Sequence, residues 1–133
     1  MRVRSVVTRS GPLCVCRNSK GLGVYARYGL MKGDVAEVAP YIIVGQSYDD
    51  AYENGHVDAI TWAYNVNGKL AIALGYGSLY NHSYKANVDW KIRTRSKTIL
   101  YTAYKDIDAG DELTINYLGS PRARGKLDFD VIE

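Results

Sequence analysis

Two short polar segments, about thirty residues apart, carry side chains whose types suit chemistry on a small charged molecule. The first is Asn81-His82-Ser83, and the second is Glu112-Leu113-Thr114-Ile115-Asn116-Tyr117. The Asn81 side chain offers two donors and an acceptor, so it suits a carboxylate as well as an ammonium group. A tyrosine with the usual pKa of about 10 is neutral at pH 7, so the Tyr117 hydroxyl can orient a substrate. Together the segments predict a pocket for a charged small molecule beside a phenolic hydroxyl.

A glycine loop, Lys20-Gly21-Leu22-Gly23-Val24-Tyr25-Ala26, is the third segment that suits ligand binding. Glycine has no Cβ, so backbone N–H and C=O groups in such a loop can approach a ligand closely. The loop is not a dinucleotide-binding fingerprint, because the third glycine and the following helix are missing. Taken singly, each of the three segments is better explained as a structural turn or a core residue.

Short strands joined by tight turns must position these segments, because apolar and β-branched runs alternate with Gly, Asn and Asp. Strands are predicted at Val3–Val7, Leu13–Arg17, Val24–Arg27, Val35–Val44, Ala71–Leu74, Asn87–Arg93 and Thr98–Tyr104. The single helical candidate is Tyr48–His56, which is acidic and partly amphipathic. The pattern therefore predicts a mainly β protein.

Length and charge exclude several classes of protein. A chain of 133 residues predicts one domain with one core. The net charge of +3 is too small to indicate contact with nucleic acid. No apolar run is long enough to span a membrane, and the N-terminus has no apolar signal region. These features predict a soluble, intracellular protein and leave cytoplasm and nucleus both open.

The two cysteines, Cys14 and Cys16, are predicted to be core thiols. They lie two residues apart on a predicted strand, so both point to the same face. With no second cysteine pair and only two histidines, the chain offers too few ligands for a zinc site. We therefore predict that the protein holds no metal.

Four segments in order along the chain, from about Val15 to Leu118, resemble a SET domain. This is the family of protein-lysine methyltransferases that use S-adenosylmethionine. Lys20–Ala26 resembles the family's opening K-G-x-G-V loop, and Lys32-Gly33-Asp34-Val35 with Glu37 resembles the following K-G-[ED]-x-[VI]-x-E turn. Asn81–Asn87 is similar to N-H-S-x-x-P-N, and Ile107–Tyr117 is similar to the closing I-x-x-G-[DE]-E-[LI]-T-x-[DS]-Y motif.

The resemblance implies a cofactor site. The backbone at Gly21, Leu22 and Gly23 would hold the amino-acid end of S-adenosylmethionine. Asn81 and His82 would contact the cofactor through side chain and main chain.

The resemblance also implies catalytic and substrate residues. Tyr117 would be the catalytic tyrosine beside the sulfonium methyl. Tyr64 would wall the channel for the substrate lysine. Ile115 would stand where family members tune the number of methyl groups, and its apolar side chain leans toward di- or trimethylation.

The implied fold is a SET-domain (β-clip) fold of several small sheets with a C-terminal pseudoknot near Asn81–His82 and Tyr117. We expect a single domain over 1–133, with its core at about 15–118 and a tail at 119–133 that closes the cofactor site. Because the layout is compact, it resembles stand-alone viral and bacterial SET proteins.

The chain departs from the family pattern at several positions. Ser78-Leu79-Tyr80 stands where Arg-Phe usually precedes x-N-H, and Asn116 replaces a common Asp. Tyr84 and Ala86 replace a common Cys and Pro. No Cys-x-Cys cluster follows Tyr117, so the zinc-bound closing segment of many members is missing, and Phe129 is the candidate aromatic lid.

The expected activity is methyl transfer from S-adenosylmethionine to a lysine of a basic peptide such as a histone tail in chromatin. An acidic stretch ahead of Tyr64 could line the peptide groove or be a solvated loop: Asp49, Asp50, Glu53 and Asp58. Two alternatives stay open. The chain could be a catalytically weak or inactive peptide-binding module, or it could methylate a non-histone protein. A homodimer is a further expectation, since so small a domain lacks flanking modules to complete a peptide groove.

Overall fold

Ten strands and one short helix form within the residues that the computed structural model describes, which are 6–45, 47–53 and 63–125. The strands are β1 (Val6–Ser10), β2 (Leu13–Asn18), β3 (Gly21–Ala26), β4 (Val35–Gly45), β5 (Ala63–Val66), β6 (Lys69–Ala73), β7 (Asn81–His82), β8 (Val88–Arg93), β9 (Thr98–Ala103) and β10 (Glu112–Ile115). The helix is α1 (Tyr48–Glu53). No helix in these ranges is long and apolar enough to cross a membrane.

The prediction of a mainly β protein with several small sheets is confirmed. β2, β4 and β9 begin at the predicted residues, and β8 begins one residue later. β1 runs to Ser10, beyond the predicted end at Val7, because Ser10 pairs with Leu13 across the turn at Gly11. Residues 3–5 of that predicted strand and the predicted helix end at His56 lie outside the described residues.

Three strands, β5, β7 and β10, were not predicted. For β5 a signal exists in the chain, because Asn67 and Gly68 form the turn between β5 and β6 with positive φ angles of 51° and 84°. A two-residue turn with both angles positive favours Asn-Gly and matches the twist of a hairpin. The Asn65 side chain also accepts a hydrogen bond from the Gly68 N–H at 2.8 Å.

The described chain divides into two compact units. The first comprises residues 6–37, 79–90 and 101–125, and the second comprises 38–45, 47–53, 63–78 and 91–100. One sheet, in the strand order β1-β2-β3-β10-β7, lies within the first unit. The other sheet has the order β5-β6-β4-β9-β8.

The sheet of the first unit is antiparallel except at its last pair. β2 and β3 form a hairpin, and β10 pairs antiparallel with β3 and parallel with β7. Its side chains supply much of the core of this unit, and Val15, Val24, Leu113 and Ile115 are all at most 2% exposed. Cys14 and Cys16 are buried, with their Sγ atoms 3.7 Å apart, as expected for two residues on one face of a strand.

Asn87 and Trp90 hold β10 through side-chain hydrogen bonds. The Asn87 amide donates to Glu112 O and accepts from the Thr114 N–H, both at 2.9 Å. The Trp90 indole N–H donates to Asn116 O at 2.9 Å. The segment that carries Asn81 is thus bound to the segment that carries Tyr117, as the predicted C-terminal knot requires.

Candidate functional site

The turn between β2 and β3 presents backbone at its tip. Gly21 has a φ of +106°, in the range that favours glycine, and a Cβ built there would meet no atom within 4 Å. Asn18 fixes the turn, because its Oδ1 accepts a hydrogen bond from the Lys20 N–H at 2.8 Å. The tip is therefore ordered yet open on the side where a side chain would stand.

A cluster of polar side chains lies against the glycine strand, built around the carboxylate of Glu112. Asn81 Nδ2 donates to Glu112 Oε2 at 2.7 Å and to Leu22 O at 2.9 Å. Asn18 Nδ2 donates to the Tyr25 hydroxyl at 2.9 Å and lies 3.4 Å from Glu112 Oε2. Lys20 Nζ is 3.8 Å from Glu112 Oε1. The cluster therefore contains both a fixed negative charge and a positive charge.

Strand register explains why residues far apart in sequence meet in this cluster. Gly23 pairs with Cys16, Tyr25 pairs with Glu112, and Asn81 pairs with Thr114. Alternate residues of a strand share a face, so Asn18, Glu112 and Asn81 lie on the same face as Gly23. A Cβ at Gly23 would lie 2.6 Å from Asn18 Nδ2 and from Glu112 Oε2, so only glycine leaves room for them.

His82 and Tyr117 form the second part of the site. The Tyr117 N–H donates to His82 Nδ1 at 3.0 Å, which makes Nδ1 the acceptor and leaves the proton of the neutral ring on Nε2. The Tyr117 hydroxyl donates to Tyr80 O at 2.7 Å. The rings of His82 and Tyr117 are 5.2 Å apart, and the Tyr84 ring meets His82 edge-on at 4.5 Å. The Tyr117 phenol is thus held at its backbone, ring and hydroxyl.

Burial raises the pKa of Tyr117 to about 12, and the nearby negative charge of Glu112 acts in the same direction. Both effects disfavour the phenolate, because a buried anion loses hydration and is repelled by a like charge. At neutral pH the phenol is protonated. It can therefore act as a hydrogen-bond donor and a polar contact, but not as a base.

The remaining predicted site residues fall in different places. Tyr64 lies on β5 in the second unit, where its hydroxyl donates to Gly77 O at 2.7 Å. Ile115 is 2% exposed in the first unit and pairs with His82 across β10 and β7. Phe129 lies outside the described residues, and its role as a lid stays a prediction.

Sequence reasoning missed several residues that shape the site. Asn18 was not identified as a site residue. A signal for it exists, because an Asn side chain in a turn commonly accepts a hydrogen bond from the N–H two residues later. Tyr80 has a role on both sides: its carbonyl accepts from Tyr117, and its hydroxyl donates to Glu37 Oε1 at 2.7 Å. No sequence signal links Tyr80 to Tyr117, since the contact depends on the pairing of β7 with β10.

No group of three or more His, Cys, Asp or Glu side chains within the described residues could hold a metal ion. The site in the first unit combines an open glycine turn, a charged Asn–Glu cluster and a neutral buried phenol.

Comparison with known proteins assigns this arrangement to a family. The SET domain family model matches residues 21–118, which is most of the chain, and the chain belongs to that family. The predicted family and its enzyme class, protein-lysine N-methyltransferase, are confirmed, as is the predicted SET fold.

One relative and two solved structures illustrate the match. The relative is the histone-lysine N-methyltransferase of Schizosaccharomyces pombe that is specific for H3 lysine-37; it is 30% identical over 99 residues, which are 74% of this chain and 67% of that protein. A Plasmodium falciparum histone methyltransferase candidate is similar with a TM-score of 0.62 and 24% identity, over 82% of this chain and 95% of the other. A ctPRC2 complex with H3K27me3 and H3K27M matches with a TM-score of 0.59 and 21% identity, over 87% of this chain and 15% of the other. The two structures support the fold alone.

Proposed function

We propose that this chain transfers a methyl group from S-adenosylmethionine to a lysine side chain of a histone tail. The observation that supports this best is a set of hydrogen bonds that joins three distant segments. Asn81 donates to the glycine turn at Leu22 O, and His82 accepts from the Tyr117 N–H. These bonds connect Leu22, Asn81, His82 and Tyr117, which supports their proposed assignment to one site.

The residues at the glycine turn fit the amino-acid end of the methyl donor. When bound, S-adenosylmethionine supplies a methyl group on a positively charged sulfur. The backbone at Gly21, where a Cβ would meet no atom within 4 Å, can bind a carboxylate or an ammonium group, and Gly23 lets the strand lie against the polar cluster. Both N–H groups of Asn81 donate within the described residues, so the atom left for a ligand is the acceptor Oδ1, which suits an ammonium group. The carboxylate of Glu112 adds a charge that favours a cationic ligand.

Tyr117 would act on the reacting amine as a neutral phenol. Its hydroxyl proton is donated to Tyr80 O, so toward the amine the phenol oxygen would act as a hydrogen-bond acceptor, or it would contact the electron-poor methyl group. Methyl transfer to an amine needs an aligned and neutral nucleophile. A lysine with the usual pKa of about 10.4 is neutral in only about one molecule in a few thousand at pH 7. Desolvation in an apolar channel and a nearby positive charge both lower that pKa, so no base is required.

The roles of Tyr64 and Ile115 remain those that the resemblance implies, as the channel wall and the residue that tunes methyl number. The histone substrate is proposed from the curated relative, which is named for histone H3. In addition, α1 carries Asp49 and Asp50 in its first turn, and their negative charges would attract a basic peptide. Homodimerisation stays a prediction.

The alternative of an inactive module was motivated in part by Ser78-Leu79-Tyr80, which replaces a common family sequence. Tyr80 is 2% exposed, stacks on Tyr101 with ring centroids 4.5 Å apart, and bonds to Glu37. Tyr80 is therefore a buried, hydrogen-bonded core residue in this chain. The departure from the family sequence is accommodated in the core, which removes one reason for proposing the inactive module.

Titration calorimetry with S-adenosylmethionine, followed by transfer of a radiolabelled methyl group to histones and to a cell lysate, tests the proposal. We expect saturable binding and label on lysine. An absence of binding at millimolar cofactor would leave the peptide-binding module as the better explanation. Binding with label on other lysate proteins and none on histones would replace the substrate but keep the activity.

A further inference from the structure

Two positions where the chain departs from the family pattern, Tyr84 and Asn116, contact the same stretch of backbone. That stretch is residues 119–125, which follow the closing motif. The Tyr84 hydroxyl donates to Gly125 O at 2.8 Å, and Asn116 Nδ2 donates to Ala123 O at 2.8 Å. Each departure therefore supplies a donor to a carbonyl of this stretch.

Asn116 could not be replaced by the common Asp without loss of this contact. It is 0% exposed, and its Oδ1 accepts from the Leu118 N–H at 3.0 Å while its Nδ2 donates to Ala123 O. A carboxylate offers acceptors only, so an Asp would face the Ala123 carbonyl with no proton to share. A buried acceptor left without a donor is costly.

Tyr84 is likewise suited to this stretch in a way that a cysteine is not. Its long side chain carries a hydroxyl to Gly125, and its own carbonyl accepts from Arg124 Nη1 at 3.1 Å. Tyr84 thus donates one hydrogen bond to residues 124–125 and accepts one from them. A cysteine is shorter and is only a weak donor.

The contacts of Tyr84 and Asn116 lead directly to the candidate site. The Tyr84 ring packs edge-on against His82, and His82 accepts the Tyr117 N–H. Asn116 immediately precedes Tyr117, and its carbonyl accepts from Trp90 and from the Gly119 N–H. Movement of residues 119–125 would therefore disturb His82 and Tyr117.

We propose that Tyr84, Asn116 and Arg124 form a clasp that fixes residues 119–125 against the His82–Tyr117 pair and thereby raises the affinity for the cofactor. The three are positioning residues, and none needs to touch the reacting atoms. The clasp gives the two departures from the family pattern, Tyr84 and Asn116, one common role. Its effect on affinity rests on the proposed function.

The test uses Tyr84→Phe and Asn116→Asp, each of which removes a donor while keeping the shape of the side chain. Tyr28→Phe at a 58% exposed position and Asn65→Asp, which keeps the acceptor for the Gly68 N–H, are the matched controls. Hydrogen exchange of the full chain without cofactor measures the hold on residues 119–125, and calorimetry measures the dissociation constant for S-adenosylmethionine. We expect faster exchange at 119–125 and a dissociation constant about three- to tenfold higher in each variant, with both controls unchanged.

Unchanged exchange at 119–125 in both variants would show that no clasp exists. Faster exchange with an unchanged dissociation constant would overturn its role in cofactor binding. If wild-type protein binds no S-adenosylmethionine, the proposed function fails, and exchange in the variants still decides whether Tyr84 and Asn116 hold the stretch. Tyr84 is partly exposed, so Tyr84→Phe carries the test should Asn116→Asp fail to fold.

Discussion

Tyr117 is fixed by three different kinds of contact at the scale of a single residue. Its N–H donates to His82, its hydroxyl donates to Tyr80 O, and its ring packs on the His82 ring. Burial and the charge of Glu112 keep the phenol protonated. A neutral, immobile phenol suits alignment of an amine and its methyl donor, which is the main demand of methyl transfer.

The raised pKa of Tyr117 predicts a dependence of stability on pH. The phenol has a pKa of about 12 in the folded chain and about 10 when unfolded, so the unfolded state loses its proton first as pH rises. The contribution of Tyr117 to the free energy of unfolding is therefore fully present below pH 10 and decreases as pH rises toward 12. Carbon-13 spectra of labelled tyrosine should show a ring, absent in Tyr117→Phe, that stays neutral above pH 10, where a free tyrosine ionises.

Glu112→Gln separates the two causes of that shift. Removal of the charge should lower the Tyr117 pKa, but the value should stay above the ordinary tyrosine value of about 10, because burial is the larger cause. Ionisation of the Tyr117 ring near pH 10 in the wild-type chain would show that the ring is not buried as described.

The β2–β3 hairpin is the element that joins the site to the sheet. Asn18 fixes its turn, Gly21 provides the positive φ, and Gly23 gives the side chains of the polar cluster their space. Gly21 is required for its backbone conformation, and Gly23 is required because a side chain there would occupy the space of its neighbours.

Gly23→Ala is expected to weaken cofactor binding more than it weakens the fold. The new Cβ would displace the ends of the Asn18 and Glu112 side chains and so break the bond from Asn81 to Glu112. We expect a loss of about 1–3 kcal/mol in the free energy of unfolding and at least a tenfold rise in the dissociation constant for S-adenosylmethionine. Chemical denaturation and calorimetry measure the two quantities.

Gly29→Ala is the matched control, because a Cβ there would make only an ordinary contact, 3.6 Å from Ile107 O. Its affinity should equal that of the wild type. Equal affinity in Gly23→Ala would contradict the assignment of the polar cluster to the cofactor site.

The elements that sequence reasoning found and missed differ in how they are stabilised. Thr98–Tyr104 was predicted because its own β-branched and aromatic residues favour a strand, and β9 covers all but its last residue. β7 has two residues and β10 has four, so neither is long enough to show a pattern. β10 forms because it pairs with β3 and β7 and is bonded by the Asn87 side chain, and β7 forms because it pairs with β10. β5 could have been found from Asn67-Gly68.

The residues of the candidate site also divide into those that the sequence predicts and those that depend on distant contacts. The motif residues Asn81, His82 and Tyr117 were predicted from family resemblance, and the structure brings them together. Tyr84 and Asn116 were identified only as departures, because their contacts with residues 119–125 depend on the path of the chain after β10. A sequence carries no local signal for a contact of that kind.

The family match includes parts of both units, since it covers residues 21–118. Among the described residues, the first unit contains the glycine turn, Asn81, His82 and Tyr117, and the second contains Tyr64 and the acidic helix α1. We therefore expect variants in the second unit to alter the Michaelis constant for the peptide more than the affinity for the cofactor.

Metal removal is a test at the scale of the whole molecule. The two cysteines of the sequence, Cys14 and Cys16, are buried, and the prediction is that the protein holds no metal. Treatment with EDTA should leave the rate of methyl transfer and the thermal midpoint unchanged. Loss of activity that returns with added zinc would contradict this prediction.

The most direct test of Tyr117 as the catalytic residue compares Tyr117→Phe with Tyr28→Phe. The rate of methyl transfer from radiolabelled S-adenosylmethionine to histones is measured for each, and calorimetry on the same samples measures cofactor binding. Removal of one precisely placed hydroxyl should lower turnover by about 10²-fold or more, while cofactor binds to Tyr117→Phe within a few-fold of wild type. Tyr28→Phe should match the wild type in both. Turnover in Tyr117→Phe equal to that of the wild type would show that the buried phenol has no part in the reaction.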